Sequence, residues 1–262
     1  MVAKIAPLVV IVGPTASGKT ALGIELAKRF NGEIICADSR TIYKGMDIGT
    51  AKPTKAEQDG IPHHLLSIIE PNERYSAAQF KQDALSLIDE ISDRRKLPIM
   101  VGGTGLYVDS VLFDYQFANK DHERDPQNPR HLKKSASPLD LEPRPNTVVL
   151  GVDPGKEELI ARIKVRTHLM IQNGFIDEVK QLIEKFGTDN EAMSGIGYRT
   201  FVKYVNGEIS EKNATAEFIM GDKSLAKRQR TWFKRNKSIH WLNQSSKQSE
   251  AVELVTTLLS KK

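Results

Sequence analysis

The stretch LVVIVGPTASGKT, residues 8–20, decides the fold. Its first part, LVVIV (8–12), is a continuous apolar run of the kind that forms a parallel strand buried on both faces. Its second part, GPTASGKT (13–20), matches the pattern G-x-x-x-x-G-K-[ST] in full, and the residues from Lys19 to Phe30 then carry large apolar side chains every four positions. A strand, a glycine-rich loop and a helix in this order predict a phosphate-binding loop (P-loop) at the edge of a parallel sheet.

The chemistry of the loop follows from its residue types. Gly13 and Gly18 permit a tight turn whose backbone N–H groups point at phosphate oxygens, and the helix N-terminus adds positive potential. Lys19 supplies a point charge between phosphates, and Thr20 is placed to bind Mg²⁺. We therefore predict a site for a diphosphate or triphosphate with Mg²⁺ as cofactor. The loop does not by itself indicate that ATP is hydrolysed.

Further strands and helices alternate along the chain. Strands are predicted at 33–38, 98–103, 147–153 and 239–242. Helices are predicted at 77–95 behind an N-cap at Ser76, from an Asp153 N-cap with Pro154 at the first helical position to Asn173, and at 175–186, 196–205, 211–236 and 248–260. The pattern favours an α/β fold with a P-loop NTPase-like parallel sheet, flanking helices and a helical C-terminal part.

Three segments organise the chain. Residues 1–113 form the first part of the α/β core, and residues 147–262 complete it with basic C-terminal helices. Residues 114–146 hold five of the twelve prolines, have no clean apolar period and balance six basic against six acidic side chains. We therefore interpret 114–146 as an insertion or a long loop.

Composition excludes several classes of protein. With 262 residues, 39% of them hydrophobic, the chain can bury a sizeable core, which excludes global disorder. Its single cysteine, Cys36, excludes a disulfide framework and a paired-cysteine zinc site. No apolar run approaches the ~20 residues of a membrane helix. We expect a monomeric cytoplasmic protein, and the net charge of +5 permits a polyanionic partner without requiring one.

Two polar residues follow strand candidates at the edge where open α/β sheets bind ligands. Asp38 could hold Mg²⁺ or accept a proton from an incoming nucleophile, although an aspartate in ADSR could also be an ordinary turn residue. Thr104, after Gly102 and Gly103, offers a hydroxyl donor where charge develops on a leaving oxygen. A plain strand-to-helix turn is the alternative interpretation of that glycine-rich segment.

A basic segment lies near the C-terminus. Residues 222–237 interleave Trp232 and Phe233 with seven cationic side chains, Lys223, Lys227, Arg228, Arg230, Lys234, Arg235 and Lys237. Basic residues three and four apart form one helical stripe that suits a phosphate backbone. A solvated basic face is the alternative. The histidines show no metal-ligand spacing.

Together the motifs resemble the bacterial tRNA dimethylallyltransferases (tRNA isopentenyltransferases). The resemblance covers most of the chain outside 114–146, through GPTASGKT (13–20), ADSRTIYKGMDIGTAKPT (37–54), IPHHLLSIIEPNERYSAAQF (61–80), VGGTGLY (101–107), RIKVRTHLMIQNGFIDEV (162–179), SGIGYR (194–199) and LAKRQRTWFKR (225–235). It implies transfer of a dimethylallyl group from dimethylallyl diphosphate to N6 of the adenosine 3′-adjacent to the tRNA anticodon (position 37 of the tRNA). The acceptor base is then expected to be flipped into a channel.

The resemblance also assigns residues. It implies that Asp38 is the general base for the N6 proton and that Thr104 donates to the bridging oxygen of the leaving diphosphate. The implied diphosphate ligands are Gly13, Thr15, Ala16, Ser17, Gly18, Lys19, Thr20 and Arg166, with Arg162 as the alternative to Arg166. The implied or candidate tRNA contacts are Asp38, Ser39, Arg40, Thr41, Arg130, His131, Lys134, Lys227, Arg228 and Arg230.

The sequence departs from the family pattern in two places. Thr41 stands where the family usually has glutamine, and the helical subdomain that the family inserts after GGTxLY is reduced here to about 114–146. We expect the shorter insertion to affect tRNA affinity rather than chemistry.

Three other functions remain open. A nucleotide or small-molecule kinase would share the P-loop and sheet but consume ATP. An adenylate isopentenyltransferase would use free AMP or ATP as acceptor, and the basic C-terminal helix favours tRNA instead. A non-catalytic tRNA-binding protein would not need the intact Asp38, Lys19 and Thr104.

Overall fold

The computed structural model describes residues 5–117 and 142–260. Within these ranges six strands form one parallel sheet with the order β3-β2-β4-β1-β5-β6. The strands are β1 (Leu8–Val12), β2 (Gly32–Cys36), β3 (His63–His64), β4 (Leu97–Gly102), β5 (Thr147–Gly151) and β6 (Ile239–Trp241). The predicted parallel α/β class is confirmed.

Helices flank the sheet and make up most of the C-terminal part. They are α1 (Lys19–Arg29), α2 (Lys55–Gln58), α3 (Ala77–Asp93), α4 (Gly105–Leu112), α5 (Lys156–Gln172), α6 (Phe175–Phe186), α7 (Ile196–Val205), α8 (Glu211–Phe233) and α9 (Lys247–Ser260). Ser76 caps α3 as predicted, because its side chain accepts a hydrogen bond from the Gln79 N–H while Gln79 bonds back to the Ser76 N–H.

Two apolar layers cover the sheet. Alternate residues of β1 point to opposite faces, so that Leu8, Val10 and Val12 join a core with α3 and α4, whereas Val9 and Ile11 join one with α1 and α9. A third core lies within the C-terminal helices and also takes in the chain after β2. That chain segment is therefore held between the sheet and the helical part, which places Asp38 at their junction.

A buried carboxylate stabilises the opposite, amino-terminal edge of the sheet. The Glu33 carboxylate accepts hydrogen bonds from Lys96 Nζ at 2.8 Å and Arg94 Nη2 at 2.8 Å, and it contacts His64 Nε2 at 2.7 Å. Burial alone would raise the pKa of Glu33, but hydrogen bonds from these three side chains outweigh it and lower the pKa to about 2. The cluster ties β2 to β3 and to the end of α3.

Several predicted helix boundaries are wrong; α3, for example, ends at Asp93 rather than at 95. The helix expected behind an Asp153 N-cap begins instead at Lys156, after Gly155. Asp153 Oδ1 accepts from the Gly155 N–H at 3.1 Å and Arg230 donates to both carboxylate oxygens, so this side chain braces the turn before the helix. The last long helix ends at Phe233 rather than at 236.

The segment interpreted as a reduced insertion falls largely on residues 118–141, outside the described residues. The candidate tRNA contacts Arg130, His131 and Lys134 lie there too. The domain boundaries at 113 and 147 stay a prediction. Neither described range contains a helix that is both long and apolar enough to cross a membrane.

Candidate active site

The predicted P-loop connects β1 to α1 at the carboxyl edge of the sheet. Gly18 adopts a φ of +89°, a left-handed conformation that favours glycine, directly before Lys19 begins α1. At Gly13 an added Cβ would lie 2.3 Å from the Val152 carbonyl oxygen, so that position also requires glycine. The loop therefore wraps the start of α1, with the helix N-terminus opening on the cavity beside it.

Lys19 is the central cation of the loop. Its ammonium donates to the Pro14 carbonyl at 3.2 Å. Burial lowers the pKa of Lys19 to about 8, the Asp38 carboxylate opposes that shift, and the Arg166 guanidinium adds to it. An anion bound in the loop would favour the charged form of Lys19. The site is therefore electrostatically suited to phosphate.

Asp38 and Thr104 meet at the ends of neighbouring strands, β2 and β4. The Asp38 carboxylate accepts from the Arg40 N–H at 2.9 Å. The Thr104 hydroxyl oxygen accepts from the Ser39 N–H at 3.0 Å, and the hydroxyl donates to Ser39 Oγ at 3.3 Å. The two predicted catalytic side chains thus lie on one edge, each hydrogen-bonded to the chain just after β2, Asp38 to Arg40 and Thr104 to Ser39.

Two cavities join at Asp38. An outer chamber of about 510 Å³ is lined by Asp38, Thr104 and residues of α5, α7 and α8. An inner chamber of about 200 Å³ is lined by the P-loop together with apolar side chains that include Cys36 and Val101. The residues common to both are Thr15, Asp38, Thr50, Ala51 and Arg166.

An open groove of about 1140 Å³ adjoins the inner chamber. It shares Gly18, Thr20, Pro53 and Arg166 with that chamber, among others. Asp38 lines the inner and outer chambers but not the groove. A ligand in either chamber would therefore lie beside Asp38.

The structure distinguishes the two arginines considered for diphosphate binding. Arg166 lines both chambers and the groove, and its Nη2 donates to Asp222 Oδ2 at 2.6 Å. Arg162 lies outside the described linings of all three; its guanidinium bonds to the Ser17 carbonyl at 3.1 Å and to Glu158. Arg166 is the residue in position to contact a ligand.

Gln229 and Asp222 are among the functional candidates that the sequence did not suggest. Gln229 Oε1 accepts from the Thr15 N–H at 2.7 Å, while its Nε2 donates to the Gly103 carbonyl at 2.9 Å. This side chain joins the P-loop to the loop after β4, and it occupies an N–H that was expected to face phosphate. The sequence did not indicate a role for Gln229, because it lies within the segment 222–237, which was interpreted from its cationic side chains alone.

Glu178 holds the wall that both chambers share. Its carboxylate accepts from three consecutive backbone N–H groups, those of Asp47, Ile48 and Gly49, at 2.8, 2.8 and 3.0 Å. It also accepts from the Tyr198 hydroxyl at 2.6 Å. These bonds hold residues 47–49 in place, and the next two residues, Thr50 and Ala51, line both chambers.

The predicted tRNA contacts occupy different environments. Ser39, Arg40 and Arg228 line the outer chamber, and Lys227 is exposed on α8. Thr41 is buried and lines the inner chamber with the P-loop instead. Arg230 is half-buried by its ion pair with Asp153. At the mouth of the outer chamber, Arg199 adds an exposed cation that the sequence did not single out.

Comparisons with known proteins identify the family. The family model described as IPP transferase matches residues 41–141 and 127–236. A curated tRNA dimethylallyltransferase from Macrococcus caseolyticus is 38% identical over 291 aligned residues, covering 94% of this chain and 93% of the relative.

Two solved structures have the same fold. A tRNA delta(2)-isopentenylpyrophosphate transferase from Staphylococcus epidermidis matches with a TM-score of 0.84 at 35% identity, over 98% of this chain and 100% of that one. A full-length tRNA isopentenylpyrophosphate transferase from Bacillus halodurans matches with a TM-score of 0.86 at 33% identity, over 98% of each chain. The resemblance seen in the motifs is confirmed: the chain belongs to the IPP transferase family, whose curated relatives are named tRNA dimethylallyltransferases.

Proposed function

We propose that this protein transfers the dimethylallyl group of dimethylallyl diphosphate to N6 of the adenosine 3′-adjacent to the tRNA anticodon, position 37, and releases diphosphate. The observation that carries the proposal is the position of Asp38, which lines both the chamber at the P-loop and the outer chamber. A diphosphate donor in one chamber and an acceptor base in the other would meet beside its carboxylate.

The inner chamber suits the donor. Lys19 and Arg166 supply positive charge to a diphosphate, and the start of α1 adds backbone N–H groups. Cys36, Leu66 and Val101 line the same chamber and offer an apolar surface to a short prenyl chain. Burial of such a chain contributes about 0.8 kcal/mol for each CH₂ group removed from water.

The outer chamber suits a base turned out of the anticodon loop. Its volume of about 510 Å³ lies in the range of small-molecule sites. The aromatic ring of Trp232 lines this chamber. The Arg235 guanidinium lies over that ring, 4.2 Å from its centroid, in a cation–π contact. Arg40, Arg199 and Arg228 lie along the same lining, where they can contact RNA phosphates.

The reaction follows from these positions. N6 of the adenine attacks the allylic carbon, the bond from that carbon to the diphosphate oxygen breaks, and the N6 proton passes to the Asp38 carboxylate. Thr104 lines the outer chamber beside Asp38, and its hydroxyl would turn from Ser39 Oγ to donate a hydrogen bond to the departing oxygen. Lys19 and Arg166 stabilise the negative charge on the leaving diphosphate. The remainder of the rate enhancement comes from alignment of the two reacting atoms.

We also propose Mg²⁺ as the cofactor. The described residues contain no cluster of three or more His, Cys, Asp or Glu side chains that could hold a metal. The Thr20 hydroxyl nevertheless lines the inner chamber, and Mg²⁺ commonly combines few protein ligands with phosphate oxygens and water. The residues present fit that mode, in which the ion neutralises diphosphate charge. We further propose that the enzyme acts as a monomer in the cytoplasm.

Nucleoside mass spectrometry tests the proposal. Unmodified tRNA is incubated with the protein, dimethylallyl diphosphate and Mg²⁺, then digested. We expect N6-dimethylallyladenosine in a fragment that contains position 37, with one diphosphate released for each modified adenosine. Parallel reactions replace tRNA by AMP or the donor by ATP. Prenylated AMP without prenylated tRNA would support an adenylate isopentenyltransferase, and ADP formation would support a kinase.

A further inference from the structure

Arg166 and Asp222 form an ion pair where the two chambers meet. Arg166 lies on α5 and Asp222 on α8, and the helices pack along a seam that includes Ile163 and Ala226. The Arg166 Nη2 lies 2.6 Å from Asp222 Oδ2, and only 5% of Asp222 is exposed. The pair is therefore fixed by its surroundings, unlike a pair between two flexible surface side chains.

The two partners are placed differently relative to the cavities. Arg166 lines both chambers, whereas Asp222 lines the outer chamber and is absent from the described lining of the inner one. The Arg166 Nε is buried without a hydrogen-bond partner in the described structure. Asp222 thus engages one terminal nitrogen of the guanidinium, and because Arg166 also lines the inner chamber, its remaining N–H donors are within reach of an anion bound there.

Asp222 belongs to the electrostatics of the site. Burial raises the pKa of Asp222, the Arg166 guanidinium lowers it, and the Asp38 carboxylate raises it again. The same arginine lowers the pKa of Lys19. Two cations and two carboxylates thus act on one another here, with formal charges that cancel before a ligand binds.

We propose that Asp222 is a positioning residue that holds the Arg166 guanidinium at the boundary of the chambers and competes with diphosphate for it. The inference rests on the proposed function, because it takes the inner chamber as the diphosphate site. An arginine already bonded to a carboxylate attracts a second anion less strongly than an unpaired arginine does. Asp222 therefore keeps Arg166 aligned with the leaving group while limiting how tightly the diphosphate product is retained.

The variant Asp222→Asn tests this, since asparagine keeps the shape and one acceptor oxygen but removes the charge. Calorimetry with inorganic diphosphate and Mg²⁺ should give a Kd about three- to tenfold lower than in the unmodified protein. The inhibition constant for diphosphate should fall by a similar factor, and the donor KM should not rise. If Asp222 made a merely structural contact, its loss would instead weaken the binding of both inorganic diphosphate and the dimethylallyl diphosphate donor.

Glu217→Gln is the matched control. It removes one carboxylate from the same helix, where Glu217 Oε2 lies 3.3 Å from Lys203 Nζ on α7, and Glu217 lines neither chamber. Its diphosphate Kd should stay within about twofold of the unmodified value. Asp222→Glu, which keeps the charge, should also stay within about twofold, and a Kd lowered as far as that of Asp222→Asn would contradict the proposal.

A second comparison shows whether Asp222 acts through Arg166. In an Arg166→Gln background, adding Asp222→Asn should change the diphosphate Kd by less than about twofold. The inference is overturned by an unchanged or raised Kd in Asp222→Asn, or by an equal effect in both backgrounds. These results would contradict the role of Asp222 without affecting the proposed function. If the unmodified protein bound no diphosphate, both the proposed donor site and the inference about Asp222 would be wrong.

Discussion

Gln229 is expected to hold the P-loop in its binding conformation, and Gln229→Met tests that role. Methionine has a similar length but makes neither of the bonds to the Thr15 N–H and the Gly103 carbonyl. Each lost hydrogen bond contributes about 1 kcal/mol, so the variant should be about 2 kcal/mol less stable. For a chain of this size that free-energy change lowers the Tm by about 4–8 °C.

The same substitution should weaken donor binding. A loop no longer fixed at Thr15 must be ordered when diphosphate binds, and a comparable 2 kcal/mol corresponds to a donor KM raised by roughly thirtyfold. The assays are thermal unfolding and steady-state transfer with tRNA in excess. Gln248→Met is the matched control, because among the described residues the Gln248 side chain bonds the half-exposed Glu25 and no part of the P-loop. A Tm and a donor KM equal to those of the control would refute the clamping role of Gln229.

Three further predictions concern charge. Lys19→Ala should raise the donor KM about tenfold or more. In the unmodified enzyme the donor KM should rise with pH above about 8, because Lys19 then loses its proton, and the Lys19→Ala variant should lack this pH dependence. Glu33→Gln should lose up to about 3 kcal/mol of unfolding free energy at pH 7. Because the pKa of Glu33 is about 2 in the folded protein, this stabilisation is present above the unfolded pKa of 4.5 and disappears as the pH falls from 4.5 towards 2. Chemical denaturation at several pH values measures it. Replacing Lys227 and Arg228 together by alanine should flatten the slope of log K for tRNA against log salt by up to about 2, and an unchanged slope would mean that both are merely solvated.

Local sequence patterns predicted the frame of the site. LVVIV and GPTASGKT lie in one continuous stretch, so their order alone specified β1, the P-loop and α1. The bounds of α6 and α7 also agree with prediction, because each helix has a clear apolar face followed by a glycine or an asparagine. The short helix α4 was not predicted, since its residues Tyr107–Leu112 are buried all round and leave no polar period.

The missing parts of the site depend on contacts between distant residues. Gln229 is 214 positions from Thr15, and Asp222 is 56 positions from Arg166. The basic stripe on α8 was likewise incomplete as a prediction, because Arg230 is bound to Asp153, 77 residues earlier. Helical periodicity places these residues on a face, but it does not identify what packs against that face.

Asp38→Asn tests the central claim most directly. Asparagine keeps the acceptor for the Arg40 N–H but cannot take the N6 proton. Single-turnover transfer from dimethylallyl diphosphate to tRNA should slow by about 10²-fold or more, while the Kd values for diphosphate and tRNA change little. Transfer at the rate of the unmodified enzyme would contradict the assignment of Asp38 as the base and, with it, the mechanism derived from the junction of the two chambers.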